Sequence, residues 1–345
     1  MPNLHVKVKI PLMFLSFFRN YLELPTKKKR IICLGGGVGT AQILKGLRRQ
    51  PYDLTAVVSM ADDGGSAGRL RRAFSVPPPG DIVNCLTALS DEESVLKELF
   101  VYRFAGKRYG KDTDLGGQKL GNLIFVALAD IYKGDLNRAL EEFSKIISTK
   151  GRVLPATLGD VNIWAKTKKG KKIYGEENID LGRYNGGGIL TEVHLNPPNV
   201  KTYQHTLDSL LKADFIIVGP GDLFSTVLPV IIVPKIKNIL KSAKVPKIFI
   251  VNIANKPFET PNFAVLDYLQ VIKKHLGADV FDKILVNVNQ KYKIPKGLKY
   301  KYVPVTQKTL EGYHGRIIED DFVDSNFPIY HDGQKVAKLM ERLSV

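Results

Sequence analysis

The sequence predicts an α/β fold with a Rossmann-like, doubly wound and mostly parallel sheet. Short continuous apolar runs such as Ile31–Leu34 and Phe215–Val218 alternate with helical patterns, as is typical of strands buried on both faces of a parallel sheet. Several of these runs end in glycine-rich polar loops, at the edge where open α/β sheets bind ligands. An apolar fraction of 44% in 345 residues is enough to build the core of such a unit.

Residues 1–29 are predicted to form an N-terminal extension, and residues 30–345 a nucleotide-binding α/β domain. Within the extension, residues 10–18 (IPLMFLSFF) are strongly apolar, but a membrane-spanning helix needs roughly 20 such residues. No small-residue cleavage site follows, which argues against a signal peptide. We therefore expect a cytoplasmic protein without a transmembrane span, in which residues 10–18 pack on the body, on a partner or on a membrane surface.

The formal net charge of +17 favours partners that carry phosphate, either nucleic acid or phosphorylated metabolites. The lysines are scattered outside residues 27–30 and 166–172, and no basic stripe interleaved with aromatic residues is present. We therefore expect no specific binding of nucleic acid. Cys33 and Cys85 lie in a strand pattern and a helical pattern, without a CxxC motif, which predicts buried thiols and no zinc site.

The first apolar run is followed by the loop Gly35–Thr40 and a helical pattern, Ala41–Arg48. A strand, a glycine loop and a helix in this order place backbone N–H groups where they can bind phosphate. The loop does not match the dinucleotide motif G-x-G-x-x-G, because Thr40 stands at its last glycine, and it lacks the Lys-Ser/Thr pair of a P-loop. It either binds a nucleotide-like ligand in its own manner or serves as a structural turn.

The densest polar motif follows the second apolar run, Leu54–Val58, and reads Ala61-Asp62-Asp63-Gly64-Gly65-Ser66-Ala67-Gly68-Arg69. Its glycines permit close backbone approach, Ser66 can donate a hydrogen bond, and Arg69 offers a fork of donors to phosphate. Adjacent aspartates suit a hydrated cation or a sugar hydroxyl. The alternative is a solvated turn in which Ser66 caps a helix.

Two further loops carry polar candidates. In Pro77–Asp81, a rigid turn, Asp81 is predicted to cap a helix over residues 82–89 that contains Asn84. Loop-and-cap and ligand-binding roles both stay open there. Gly116–Asn122 is a second glycine loop that feeds a helix, with Lys119 and Asn122 as donors.

Short β patterns from residue 151 to 195 predict an antiparallel insert, with Thr157 at its entrance and a solvated lysine hairpin at residues 168–171. Strand patterns of the α/β type then return and end in Gly219–Thr226 and Asn252–Thr260. Residues 284–288 are predicted to be the last parallel strand. We expect these strand ends to converge on one cleft.

Seven loops together resemble one superfamily, in which they occur in the same order. They are Gly35–Thr40, Ala61–Arg72, Pro78–Leu86, Gly121–Leu128, Gly151–Thr157, Gly219–Thr226 and Asn252–Thr260. This superfamily contains the 2-phospho-L-lactate transferases of coenzyme F420 synthesis and the bacterial gluconeogenesis factors. The segment Gly151–Thr157, the β insert and His331-Asp332 are more similar to the gluconeogenesis factors.

The resemblance implies a Rossmann-like homodimer that binds a nucleotide sugar such as UDP-glucose or UDP-N-acetylglucosamine and regulates carbon metabolism, cell shape and wall synthesis. It implies that Gly35–Thr40 and Gly219–Thr226 hold the nucleotide, and that Asp62 and Asp63 hold a metal or the sugar. The alternative is a magnesium-dependent transferase of the 2-phospho-L-lactate type, with Asp62, Asp63 and Asp81 as catalytic candidates. The resemblance implies magnesium and a guanine nucleotide for the transferases, so Mg²⁺ is the one candidate cofactor.

The residues and the resemblance together define one set of candidate ligand-binding positions. They are Gly35, Gly36, Gly37, Gly39, Thr40, Asp62, Asp63, Gly64, Gly65, Ser66, Arg69, Gly80, Asp81, Asn84, Asn122, Thr157, Gly219, Pro220, Gly221, Asp222, Phe224, Thr226, Asn252, Glu259 and Thr260. Asp222 stands for the first serine of the superfamily's GPGSLYTS motif, and Lys256 for the glutamine of its MTQPGET motif. The other departures from its motifs are Val38, Ala67, Val83, Gln118, Lys119, Phe224 and Phe258.

Overall fold

The computed structural model describes residues 28–343, apart from residues 92–94, 110, 112–113 and 185–187. The predicted extension, including its apolar residues 10–18, therefore lies almost wholly outside the described residues. The strands, in chain order, are β1 Lys29–Gly35, β2 Tyr52–Val58, β3 Gly151–Pro155, β4 Asn162–Thr167, β5 Lys172–Tyr174, β6 Leu190–Asn196, β7 Phe215–Val218, β8 Lys247–Ile250, β9 Ala254–Asn255, β10 Lys283–Asn287, β11 Lys301–Tyr302 and β12 Ile317–Asp320.

Thirteen α-helices connect these strands in the described part of the chain. They are α1 Gly37–Leu47, α2 Gly65–Phe74, α3 Pro79–Leu89, α4 Val95–Val101, α5 Leu120–Ile131, α6 Leu136–Ile146, α7 Glu176–Asp180, α8 Gln204–Leu211, α9 Leu228–Ile231, α10 Pro234–Ser242, α11 Val265–Leu276, α12 Gln307–Gly312 and α13 Gly333–Leu343. A π-helical turn, Leu223–Val227, precedes α9, and a 3-10 turn, Lys296–Leu298, precedes β11. Among the described residues no single helix has the length and apolar character to cross a membrane; only a pair bent by 76°, Leu223–Ile231 with Pro234–Ser242, passes by length and composition.

Seven strands form one parallel sheet in the order β12-β10-β8-β7-β1-β2-β3. Counted in chain order, the parallel strands read 3-2-1-4-5-6-7 across the sheet, the doubly wound Rossmann order with one strand added. The predicted fold class is confirmed. β7 and β8 are buried along their whole length, and β1 and β2 along most of it, because helices cover both faces.

Two details of the predicted sheet are wrong. The strand predicted over residues 284–288 is not the last one, because β12 pairs in parallel with β10 at the edge of the sheet. This edge strand is only half-buried and ends in Glu319 and Asp320, so it lacks the continuous apolar run of a central strand. In addition, β3 does not belong to the insert as predicted, because it pairs in parallel with β2.

The antiparallel insert itself is present and consists of β4, β5 and β6, in the order β5-β4-β6. The predicted hairpin between β4 and β5 turns at Gly170, whose φ of +85° favours glycine. Between β5 and β6 the chain forms the short helix α7, which is packed against the polar motif that follows β2. The insert therefore supplies one side of the cleft described below.

Candidate functional site

Two glycine loops meet where the strand order reverses, between β1 and β7. The Thr40 hydroxyl donates to the carbonyl oxygen of Pro220 (3.0 Å) and accepts the N–H of Gly36 (2.9 Å). A Cβ at Gly39 would lie 2.9 Å from the same Pro220 oxygen, so the close approach of the loops requires glycine there. Gly37 has a φ of +63° and open space beyond its Cα. The paired loops thus expose backbone at the N-terminus of α1, the arrangement that binds phosphate in nucleotide-binding folds.

A cavity of about 130 Å³ opens beside these loops. Eight predicted ligand residues line it: Gly36, Gly37, Gly39, Pro220, Gly221, Asp222, Thr226 and Asn252. The remaining lining residues are Val38, Ile253, Ala254, Tyr300, Ile329, Tyr330 and His331. The cavity therefore lies at the topological switch point and combines backbone, hydroxyl, carboxylate and aromatic groups.

Asp81 lies against the first glycine loop. A Cβ at Gly36 would be 2.2 Å from its Oδ2, and its carboxylate accepts the N–H of Gly37. Burial and the neighbouring Asp62 raise the pKa of Asp81 to about 7. The predicted role as a helix cap is wrong: α3 begins at Pro79, so Asp81 is in its first turn and its carboxylate faces the loop instead.

Asp62 and Asp63 point to different neighbours. The Asp62 carboxylate accepts the N–H of Gly64 (2.9 Å), and burial raises its pKa to about 6. The Asp63 carboxylate accepts the N–H of Glu177 (2.9 Å) at the start of α7, and its other oxygen lies 2.8 Å from where a Cβ of Gly175 would be. The two carboxylates therefore do not converge on one ion, and the pair does not fit a shared magnesium site.

Helix α7 brings two more carboxylates to this side of the cleft. Glu176 hydrogen-bonds Asp62, and its Oε2 lies 3.1 Å from where a Cβ of Gly64 would be. Burial, Asp62 and Asp180 raise the pKa of Glu176 well above its ordinary value. The acidic side of the cleft is therefore built jointly by the loop after β2 and by the insert.

Lys256 joins this acidic side to the second glycine loop. Its ammonium lies 2.7 Å from Asp222 Oδ2 and 3.5 Å from Glu259 Oε1, and it also pairs with Asp180. Oxygens of Asp180, Asp222 and Glu259 all lie within 4.8 Å of one another, a spacing that could hold a metal ion. We call these three carboxylates and Lys256 the lysine–carboxylate cluster.

Cations gather near Ser66. Arg103 donates to the Ser66 hydroxyl (3.1 Å), and Lys119 donates to the side chain of Asn84. Burial, together with Arg103 and Arg108, lowers the pKa of Lys119 to about 8. These like charges close together predict a place for an anion.

Several predicted ligand residues instead support the loops. Arg69 is 1% exposed, and its guanidinium donates to the carbonyl oxygens of Lys111, Asp114 and Gly116, so it does not offer a fork to phosphate. The buried Glu259 carboxylate accepts the N–H groups of Phe224 (2.9 Å) and Ser225 (3.1 Å).

Other predicted residues stabilise a loop by hydrogen bonds from one side chain to the loop backbone. Asn252 binds both the N–H (3.2 Å) and the carbonyl (2.9 Å) of Gly221. Thr260 accepts the N–H of Lys256 (3.1 Å), and Thr157 donates to the carbonyl of Lys201 (2.6 Å).

The remaining predicted residues lie around the cleft but do not converge on one point. Gly35 ends β1, Gly219 directly follows β7, and both are buried; Gly80 packs against Asp62. Gly65 lies beside Arg108, where a Cβ would be 2.9 Å from its Nε. Asn122 is 2% exposed, and its Oδ1 accepts no hydrogen bond from the described residues.

A larger recess of about 730 Å³ lies beside the cleft, at the ends of β2 and β3, and Asp63 and Thr157 line it. Its arginines are used by the protein itself: Arg71 pairs with Asp160, Arg183 pairs with Glu177, and Arg72 donates to the carbonyl oxygen of Asp63. The predicted residues are thus divided between two neighbouring recesses, and the expected single cleft is wrong in that detail. The glycine loops and titratable groups identify the switch-point cavity as the candidate site.

Sequence reasoning missed most of the side chains that give this site its charge. They are Arg103, Arg108, Glu176, Asp180 and Lys256. The uncharged Tyr300 and Tyr330 of the cavity lining were missed as well. Glu176 stands in a Gly-Glu-Glu start to a helix, which could have indicated a loop-to-helix turn. Lys256 stands out in the sequence only as a departure from a motif.

The chain is similar to proteins of known sequence and structure over most of its length. A sequence model of the family described as 2-phospho-L-lactate transferase CofD matches residues 31–322. The Gluconeogenesis factor of Bacillus subtilis is 38% identical over 322 residues, which cover 91% of this chain and 98% of that protein. The Putative gluconeogenesis factor of Aquifex aeolicus is 37% identical over 330 residues, covering 92% and 97%.

A crystal structure of a UPF0052 family protein from Bacillus halodurans has the same fold. It superposes with a TM-score of 0.82 at 34% sequence identity, covering 92% of this chain and 99% of that chain. The sequence matches and the fold agree with the resemblance that the loop motifs indicate.

Proposed function

We propose a function from the premise that this chain belongs to the 2-phospho-L-lactate transferase CofD family and that its relatives include proteins named gluconeogenesis factors. The proposed function is that of a gluconeogenesis factor which binds a nucleotide sugar across the cleft that includes the switch-point cavity, and which acts as a regulator without turning its ligand over. The contact between the two glycine loops, Thr40 to Pro220 at 3.0 Å, is the observation that carries this proposal.

The phosphates would lie at the N-terminus of α1, beside Gly37, beyond whose Cα the space is open. No Cβ shields the backbone of Gly37, and the N-terminus of α1 adds a favourable field for negative charge. The ammonium of Lys119, which acts on Asp81, supplies further positive charge beside the first glycine loop. The net charge of +17 would raise the local concentration of such anions.

The sugar would lie toward the acidic side. Asp62 and Asp81 both have raised pKa values because they are buried. Carboxyl groups in such surroundings suit neutral hydroxyl partners better than a second anion. Asp81 already accepts the N–H of Gly37, so it links the phosphate loop to the sugar end.

The nucleobase would lie toward Tyr300 and Tyr330, which line the switch-point cavity. Burial raises the pKa of Tyr300 to about 12 and also raises that of Tyr330. Both phenols therefore stay neutral, and their rings offer apolar surface to a base.

A thermal-shift screen with UDP-glucose, UDP-N-acetylglucosamine, GDP and GTP tests this proposal, with magnesium in one arm and chelator in the other. A ligand at about 100 times its Kd adds roughly 2.7 kcal/mol of stability, which such a screen detects. We expect a UDP-sugar to stabilise the protein equally in both arms and to be recovered unchanged. Stabilisation by a guanine nucleotide only with magnesium, together with product formation, would favour the transferase instead.

Two further features of the proposal concern the setting in which the protein acts. We expect a cytoplasmic homodimer that does not bind nucleic acid specifically. Salt dependence separates weak charge attraction from a true nucleic-acid interface, because a protein that neutralises several phosphates loses affinity steeply as salt rises. Duplex DNA should therefore bind weakly and without sequence preference at physiological salt.

A further inference from the structure

The carboxylates of the lysine–carboxylate cluster are arranged as metal ligands are. Asp180 ends α7, Asp222 follows β7, and Glu259 lies in the loop after β9, and their oxygens come within 4.8 Å of one another. Three carboxylate oxygens from separate elements are typical of sites for hard divalent cations. By geometry alone, this is where the described residues would place a metal.

The Lys256 ammonium, however, already lies among these oxygens. It contacts Asp222 at 2.7 Å and Glu259 at 3.5 Å and pairs with Asp180, while its side chain is only 13% exposed. An ammonium has three donors, and here it has three carboxylate partners. Its position and its positive charge therefore match those of a bound cation.

The partners are held in place before any ligand binds. Glu259 accepts two backbone N–H groups and the Ser225 hydroxyl (2.7 Å), which fixes its carboxylate. The backbone N–H of Lys256 donates to the Thr260 hydroxyl (3.1 Å). The lysine thus reaches the carboxylates from a loop that is itself anchored to them.

Two of the departures from the superfamily's motifs contact each other in this cluster. Asp222 stands for a serine and Lys256 for a glutamine, and their charged atoms are 2.7 Å apart. The two changes add one negative and one positive charge, so they leave the formal charge of the cluster unaltered. This pairing indicates that the lysine and its added carboxylate function together.

We propose that Lys256 is a built-in cation that occupies the position of a divalent metal, so that this side of the cleft needs no metal ion. This inference rests on the proposed function, which assigns ligand binding to the cleft. Its test uses Mn²⁺ and no nucleotide, so the inference and the proposed function can fail separately. We expect the cluster to exclude metal as long as the Lys256 ammonium is present.

The test is Mn²⁺ binding to the full chain, followed by electron paramagnetic resonance, for wild type and three variants. We expect Lys256→Gln to bind one more Mn²⁺ per chain than wild type, at least tenfold more tightly than any Mn²⁺ site of wild type. The double variant Asp222→Ser/Lys256→Gln should lose that site, because one ligand is removed. Asp222→Asn alone should leave Mn²⁺ binding as in wild type.

Two results would overturn the proposal. One is a Mn²⁺ site in wild type that Asp222→Asn abolishes, since the cluster would then hold metal despite Lys256. The other is Lys256→Gln without an added site. If this variant unfolds without metal, recovery of the fold in Mn²⁺ supports the proposal, and failure to fold in both conditions overturns it. Lack of nucleotide binding by wild type would instead count against the proposed function.

Discussion

The wall of the cleft at Gly36, Gly37 and Gly39 consists of backbone, whereas the wall at Asp180, Asp222 and Lys256 consists of charged side chains. The first wall arises from one short segment whose conformation and lack of side chains create the surface. The second exists only after distant segments have packed together. The backbone wall should therefore determine ligand affinity, and the charged wall should determine stability and its dependence on pH.

Removal of the buried cation should have the largest effect. Lys256→Gln leaves three carboxylates without their shared partner, and breaking a buried ion pair from one side costs about 3–5 kcal/mol. The control is Lys274→Gln, which removes a pair with Glu192 at 2.7 Å from a lysine that is 57% exposed; exposed pairs contribute only about 0–1 kcal/mol. Urea denaturation measures the free energy of unfolding of both variants. Equally small losses in the two would show that the charged wall is not important for stability.

The second-largest effect should be the pH dependence of stability that Asp81 confers. Its pKa is raised from 3.8 to about 7, so its contribution to stability is full below the unfolded pKa and is lost as pH rises through about 7. Asp81→Asn keeps an acceptor for Gly37 but does not titrate. Its free energy of unfolding should therefore rise relative to wild type between about pH 4 and pH 7, on the order of 1.4 kcal/mol for each pH unit in that interval. A difference that is independent of pH would contradict the buried placement of this carboxylate.

Substitutions at the two adjacent aspartates should have different effects, one on ligand binding and the other on stability. Asp62→Asn should weaken binding of a nucleotide sugar by about 1–3 kcal/mol, in magnesium and in chelator alike, because an acceptor for the sugar changes. Asp63→Ala should instead lower stability by about 1 kcal/mol, since Asp63 accepts the Glu177 N–H at the start of α7. Calorimetry and denaturation of both variants decide this, and the pattern fails if Asp63→Ala also weakens binding.

Those parts of the fold whose signals are local could be predicted from the sequence. The glycine loops after β1 and β7 follow continuous apolar strands, so their place at one edge of the sheet follows from the pattern. β12 could not be found in this way, because Glu319 and Asp320 interrupt its apolar pattern at the edge of the sheet.

The charged wall could not be predicted because its members are far apart in the chain. Asp180, Asp222 and Lys256 belong to an insert and two separate loops, and no spacing rule connects them. Arg69 shows the converse. It has the composition expected of a phosphate ligand, but the carbonyl oxygens of Lys111, Asp114 and Gly116 accept its hydrogen bonds.

The central claim is that the backbone wall binds the nucleotide, and substitution of Gly37 tests it directly. Its φ of +63° and the open space beyond its Cα allow asparagine, which tolerates this conformation and projects a side chain into the cleft. Gly134 is the matched control, with a φ of +82° and equally open surroundings after α5.

The measurement is titration calorimetry of wild type, Gly37→Asn and Gly134→Asn with UDP-glucose and with UDP-N-acetylglucosamine, in chelator. We predict that wild type and Gly134→Asn bind one of these sugars with the same Kd. Gly37→Asn should bind it about 100-fold more weakly, a loss of roughly 2.7 kcal/mol, while keeping the stability of the control. A folded Gly37→Asn variant with wild-type affinity, or a wild type that binds neither sugar, would contradict the account.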